Sequence, residues 1–135
     1  MDRSIFIAPA VVEDILAHAR EEAPRECCGL LIGGDGTVER AVRARNLDGA
    51  PTRRYLIDPA DHFRAIRAAR AQRKGVIGAY HSHPSGRAVP SPTDLAEANN
   101  GSDFVYVIVS PGNGDLCAYR YEPDGFVSCP LTLTP

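Results

Sequence analysis

Apolar positions recur along this chain with two periods, and each period marks a different kind of element. "SIFIA" (4–8) is a short apolar run and predicts a strand. In "PAVVEDILAHAREEAP", Val12, Ile15, Leu16 and Ala19 fall at helical spacing, and the pattern stops before Pro24. "ECCGLLIGG" (26–34) is a compact apolar run closed by Gly33-Gly34-Asp35-Gly36. "TVERAVRARN" then alternates Val38, Arg40 and Val42, as the returning arm of a hairpin does. After a loop at Gly49-Ala50-Pro51, "RRYLID" (53–58) reads as a short extended piece.

"DPADHFRAIRAARAQRKG" (58–75) opens with helix signals: Asp58 as N-cap, Pro59 at the first position, Asp61 three residues after the cap. Its apolar stripe is Phe63, Ile66 and Ala69 or Arg70. Arg64, Arg67, Arg70 and Lys74 share another face, read as solvated in preference to a docking surface for an acidic partner. "GVIGAYHSH" is a strand, "SPTDLAEANN" a short helix, "DFVYVIVS" a buried strand, and "GDLCAYRYE" and "GFVSCPL" are closing strands. Strands and helices interleave, yet several strands are joined by tight turns. That favours an α/β fold with a mixed β-sheet flanked by helices over a purely parallel, doubly wound one. No repeat or linker interrupts the pattern, so residues 1–135 are read as one domain.

Composition narrows the function. A net charge of −2 and a pI near 6.1 argue against a protein built to grip nucleic acid phosphates. The longest apolar runs, such as "FVYVIV" (104–109), are far too short to span a membrane. "MDRSIFIAP" lacks the apolar core of a leader, and a cytoplasmic protein is expected. Cys27, Cys28, Cys117 and Cys129 form no C-x-x-C and are expected to be free thiols without a role. His18, in the first helix, is read as partly exposed, and His62 as structural or solvent-facing.

The chemistry concentrates in "GAYHSHPSGRAVPSPTDLAEAN" (78–99). In a strand, side chains two apart project from one face, roughly 7 Å from each other along the chain. His81 and His83 therefore point together and Ser82 points away, with neighbouring backbone as its expected partner. Pro84 ends the ladder, so the pair sits at a strand end, where open α/β sheets place ligands. Ser91-Pro92-Thr93-Asp94 is a capping box by type, and from those residues alone helix capping is the stronger reading. Asp58-Pro59-Ala60-Asp61 is a near copy read as purely structural. Among the acids that could assist catalysis (Glu13, Glu26, Asp58, Glu97, Asp103), Glu26 stands out because it opens an apolar strand.

Taken together, His81-Ser82-His83-Pro84, six further residues, Ser91, two residues and Asp94 resemble the JAMM signature, H-x-H-P-x6-S-x2-D, of the MPN+ zinc metalloprotease family. "PRECCGLLIG" resembles the segment that carries that family's glutamate, at Glu26. "RNLDGAPTRRYLIDP" resembles the loop-and-strand region of its small prokaryotic single-domain members. The resemblance implies the MPN (cytidine-deaminase-like) fold, a three-layer sandwich around a mixed β-sheet. It implies one Zn²⁺ per chain on His81, His83 and Asp94, with water as fourth ligand. Glu26 would be general base and then acid, and Ser91 the donor to the oxyanion. Arg87, in the loop between, is read as a substrate contact or a plain solvated arginine, and Cys28 as a small core residue near the site.

The implied activity is hydrolysis of an amide after the C-terminal Gly-Gly of a ubiquitin-like β-grasp sulfur-carrier protein. Nucleic acid and membrane are not expected as partners, and a homodimer is one of the assemblies left open. Two alternatives of other kinds remain: a RadC-like protein linked to DNA repair, suggested by "HPSG", and a non-catalytic MPN interaction module. The first lacks a DNA-binding part here, and zinc content separates the second. A nucleoside deaminase would need H-x-E and P-C-x-x-C, and neither occurs.

Overall fold

Strand alternation decides which side chains face which helix, and that in turn places the site. The computed structural model describes residues 3–98 and 103–135. Along the chain run β1 (Ile5–Ile7), α1 (Pro9–Glu22), β2 (Cys28–Gly34), β3 (Thr37–Ala44), α2 (Pro59–Ala71), β4 (Gly75–Ser82), α3 (Pro92–Glu97), β5 (Val105–Ser110), β6 (Asp115–Glu122), β7 (Gly125–Cys129) and β8 (Leu131–Leu133). The strands form one mixed sheet in the order β7-β6-β5-β4-β2-β3-β1-β8. β4 runs parallel to β5, and β1 runs parallel to both β3 and β8. The remaining pairs are antiparallel.

β7 and β8 lie at opposite ends of that order, yet only Pro130 separates them in sequence. The sheet therefore curls until its edges approach. Proline has no N–H to continue the β7 ladder, and its carbonyl instead accepts from Ile5 N at 2.8 Å. "GFVSCPL", expected as one strand, is thus split in two.

Inside the curl lies α1. Val11, Ile15, Leu16 and Ala19 pack on Ile5, Ile7, Leu31, Tyr80, Val105 and Val107. On the other face α2 seats Ala65 and Ala69 on Leu30, Ile32 and Ala79. Burying a Val, Ile or Leu side chain stabilises by about 1.5–3 kcal/mol and a CH₂-sized group by only about 0.8 kcal/mol. α1 is accordingly the better anchored helix.

Three local expectations change. The stripe read through Phe63, Ile66 and Ala69 or Arg70 holds only at Ala69, which is buried together with Ala65, whereas Phe63 is 67% exposed. Small alanines let the helix approach the sheet, a closeness phenylalanine would prevent. His18 is not partly exposed; it is 5% accessible, with Nδ1 2.8 Å from Tyr80 Oη. Gly29, opposite Tyr80 in register, has no Cβ, and a Cβ there would collide with the Tyr80 ring. "RRYLID" joins the sheet nowhere, and its one ladder contact is an isolated bridge between Asn46 and Ile57. The helix expected over 91–100 runs from Pro92 to Glu97, and Asn99 and Asn100 lie outside the described residues.

Candidate metal centre

Period two along β4 puts Tyr80 and Ser82 toward α1 and Ala79 and His81 toward α2. Ser82 Oγ accepts from Cys27 N at 2.8 Å, as a residue pointing away from the histidine pair should. His81 stands in a cross-strand row between Cys28 of β2 and Ile108 of β5, which form the floor around it. His83 follows just past the strand end, and its Nε2 lies 3.1 Å from His81 Nε2.

α3 supplies the third group. Ser91 Oγ accepts from Asp94 N at 3.0 Å, and Asp94 Oδ2 accepts from Ser91 N at 2.9 Å, a reciprocal capping box. The cap holds the carboxylate with Oδ1 3.1 Å from His81 Nε2 and Oδ2 3.0 Å from His83 Nε2. The intervening loop is pinned from the sheet: Ser110 Oγ donates to Gly86 O at 2.6 Å and Tyr119 Oη to Ala88 O at 2.7 Å. Between them the Arg87 carbonyl accepts from His83 Nδ1 at 2.8 Å. The exposed Arg87 thus serves the site through its backbone. Its carbonyl holds the Nδ1 side of the ring, so that Nε2 is the nitrogen turned toward Asp94.

This donor set fits a divalent ion. One ligand atom from each of His81, His83 and Asp94 lies within 4.8 Å of the others. Neighbouring ligand atoms around a tetrahedral ion with bonds of about 2.0–2.1 Å are about 3.3 Å apart, close to the spacings found here. Burial pushes His81 below the ordinary imidazole range, which favours the neutral, ligating form. Burial also opposes the charge on Asp94, but hydrogen bonds to His81 and His83 outweigh it and hold the carboxyl well below the usual carboxylate range. For His83 burial works downward, and its bonds to Asp94 and to the Arg87 carbonyl outweigh it, leaving the group raised.

Glu26 precedes β2 rather than belonging to it and is only 7% exposed, so it is no surface strand-entry residue. Among the described residues, its buried Oε1 has no hydrogen-bond partner. Burial raises its pKa to about 7; His83 opposes that rise, and the charges of Asp94 and Asp48 add to it. A buried carboxyl with a pKa near neutrality can both take up and release a proton at neutral pH. Cys27 and Cys28 are buried, with thiols pushed up to about 11 and about 12, so neither is a nucleophile at neutral pH. All four cysteines are free.

Sequence reading missed Tyr55. It stacks on His81, with ring centroids 4.3 Å apart and planes inclined by 18°. Beside it, a cavity of about 350 Å³ is lined by Tyr55, Asp94, Leu30, Ala79, Phe104 and Tyr106, among others. No local pattern marks Tyr55. Asn46 and Asp48 nearby do carry a legible signal, being residues that fold their own backbone into turns: Asp48 N donates to Asn46 Oδ1 and Ala50 N to Asp48 Oδ1.

The fold is that of a JAB1/MPN domain. The structure superposes on a JAB1/MPN domain protein from Archaeoglobus fulgidus with a TM-score of 0.64 over 97% of each chain, at 20% identity. It superposes more closely on a protein from Desulfitobacterium hafniense solved in solution, with a TM-score of 0.88 at 32% identity over 96% of this chain and 92% of that one. Residues 8–121 match the family described as prokaryotic homologs of the JAB domain, and the chain belongs to that family.

Several curated relatives carry the names of peptidases. A "Probable TtuB-protein conjugate cleaving protease" of Thermus thermophilus is 36% identical over 70% of this chain, which spans 63% of that protein's length. A "Desampylase" of Haloferax volcanii is 36% identical over 90% of this chain and 91% of its own. A "CysO-cysteine peptidase" of Mycobacterium tuberculosis is 34% identical over 92% and 86%. The family is therefore one of hydrolases acting on amide bonds. Among the described residues, no helix is long and apolar enough to cross a membrane.

Proposed function

We propose that this chain is a zinc-dependent isopeptidase that hydrolyses the amide after the C-terminal Gly-Gly of a ubiquitin-like or sulfur-carrier β-grasp protein. One observation carries the reading: two imidazole Nε2 atoms and a carboxylate converge within 4.8 Å, electrostatically coupled to a buried glutamate with an unpartnered oxygen. His81, His83 and Asp94 would hold the ion, which when bound supplies a Lewis acid and lowers the pKa of the attacking water. Glu26 takes that proton and passes it to the leaving amine, and a pKa near neutrality suits both transfers. Ser91 Oγ uses a lone pair on Asp94 N, so its O–H proton is free to donate to the oxyanion. The cavity beside Tyr55 gives an extended substrate chain room next to the ligands. The relatives' names support a ubiquitin-like or sulfur-carrier conjugate as substrate. Such a substrate fits work in the cytoplasm.

Incubating zinc-loaded protein with a β-grasp carrier extended beyond its Gly-Gly, followed by mass spectrometry, tests the proposal. Cleavage directly after the second glycine is expected, and Glu26→Gln should keep the zinc and lose turnover. An uncut carrier would sink the substrate assignment. Wild-type rates from Glu26→Gln would sink the assignment of the base.

A further inference from the structure

Glu26 lies outside β2, and among the described residues its carboxylate Oε1 has no partner. Its main chain is nevertheless held at both ends, and from one direction. Glu26 N donates to Pro51 O at 2.7 Å, and Glu26 O accepts from Asn46 Nδ2 at 3.0 Å. Both partners belong to the loop between β3 and α2. The same loop carries Tyr55, whose ring stacks on His81. One loop therefore touches the base on one side and a metal ligand on the other.

Asn46 is the joint of that loop. A carboxamide offers two donated and two accepted hydrogen bonds, and here all four are made. Nδ2 donates to Glu26 O and to Arg54 O, both at 3.0 Å. Oδ1 accepts from Asp48 N and from Leu56 N, both at 3.0 Å. Arg54 and Leu56 are the neighbours of Tyr55, so the amide grips the backbone on either side of the stacking ring. No other residue type supplies two donors and two acceptors from a side chain this short. Aspartate has no donor, and alanine has neither.

We propose that Asn46 and Tyr55 are positioning residues that act as one unit. Asn46 sets the backbone of Glu26 and the seat of Tyr55 together, and the Tyr55 ring holds the His81 imidazole in its ligating orientation. The proposal rests on the roles given above to Glu26 and His81. The stack needs an aromatic ring and not a hydroxyl, whereas the joint needs a carboxamide.

Zinc affinity, measured by chelator competition, requires no substrate and comes first. Tyr55→Leu should weaken it by about 10–100-fold, as loss of a group orienting a ligand does, and Tyr55→Phe should restore it. Asn46→Ala should lower zinc affinity as Tyr55→Leu does. At saturating zinc it should also lower kcat by about 10–100-fold with KM little changed, because the base is displaced. In the double variant with Glu26→Gln, the kcat loss from Asn46→Ala should vanish, since the base it positions is gone.

If Asn46→Ala fails to fold, Asn46→Asp keeps both accepted bonds and loses both donated ones, and the same losses are expected. Equal zinc affinity in Tyr55→Leu and wild type overturns the ring's role. Additive kcat effects of Asn46→Ala and Glu26→Gln overturn the joint. A wild-type chain that binds no zinc overturns the metallopeptidase reading itself, and that result is distinct from either.

Discussion

Two helices of this protein start with nearly the same four residues and end up in different businesses. Asp58-Pro59-Ala60-Asp61 opens α2, and Ser91-Pro92-Thr93-Asp94 opens α3. At α2, Asp58 Oδ1 accepts from Ala60 N at 2.8 Å, and Oδ2 meets Arg45 Nη2 at 2.7 Å. Asp61 accepts from Arg45 N at 2.9 Å and pairs with Arg64. Each carboxylate there is occupied by an arginine and by backbone. At α3 the cap is reciprocal, and the oxygens of Asp94 face two imidazole nitrogens instead. The motif specifies only how a helix begins; the strand end opposite decides what its acid faces.

The largest expected effect breaks the pair at α3. Asp94→Asn keeps an oxygen for the Ser91 N–H but removes the charge that completes the donor set. Zinc affinity should fall by more than the roughly 10–100-fold typical of outer-shell losses, with turnover at background. Titration with a chromophoric chelator checks this, and zinc binding like that of the wild type would remove Asp94 from the set. Next comes Ser91→Asp, which makes α3 start as α2 does. Aspartate caps as well as serine, so the melting temperature should hardly move. Turnover should drop about 10²–10³-fold through loss of an oxyanion donor. Unchanged turnover would reduce Ser91 to a cap.

A third prediction contrasts two buried carboxyls. Asp58 is bonded through both oxygens, whereas Glu26 Oε1 has no partner among the described residues. In the folded protein Glu26 has its pKa raised from 4.5 to about 7. Between those values the folded state binds more protons than the unfolded one, so stability falls as pH rises through the window. Metal-free Glu26→Gln should therefore gain about 1–3 kcal/mol at pH 8 and nothing at pH 4. Denaturant melts at the two pH values read this out; an equal gain at both would mean that ionisation of Glu26 is not the cause.

Much of this was legible in the sequence, for reasons that differ by residue. His81 and His83 were legible as a pair from strand period, and Ser91 to Asp94 as a capped helix start; the resemblance to the JAMM signature is what joined the two into one expected donor set. Glu26 was legible as a charge at the head of an apolar run. Tyr55 was not, and Asn46 was legible only as a turn former, because their partners are His81 and Glu26, far away in sequence and met only through an irregular loop. His18 was misread for a related cause: its burial depends on the Tyr80 hydroxyl arriving from β4. Phe63 misled because hydrophobicity marks which residues prefer burial, while α2 is seated by whichever side chains are small enough to approach the sheet. The curl that brings β7 and β8 together is a property of the whole sheet, and no window of sequence carries it.

The smallest effect belongs to Asp61, the positional twin of Asp94. Its partners Arg45 and Arg64 have side chains 71% and 66% exposed, so water can replace the two lost ion pairs at little cost. Asp61→Asn also keeps an oxygen for the Arg45 N–H, leaving the path into the Asn46 loop intact. What remains is the loss of an acid from the first turn of α2, worth about 0.3–1 kcal/mol and screened by salt. The melting temperature should fall slightly at low ionic strength, the difference should close in high salt, and turnover and zinc content should stay at wild-type values. A loss of zinc in Asp61→Asn would show that the two helix starts are coupled after all, and that the acid at α2 serves the metal centre through the loop it anchors.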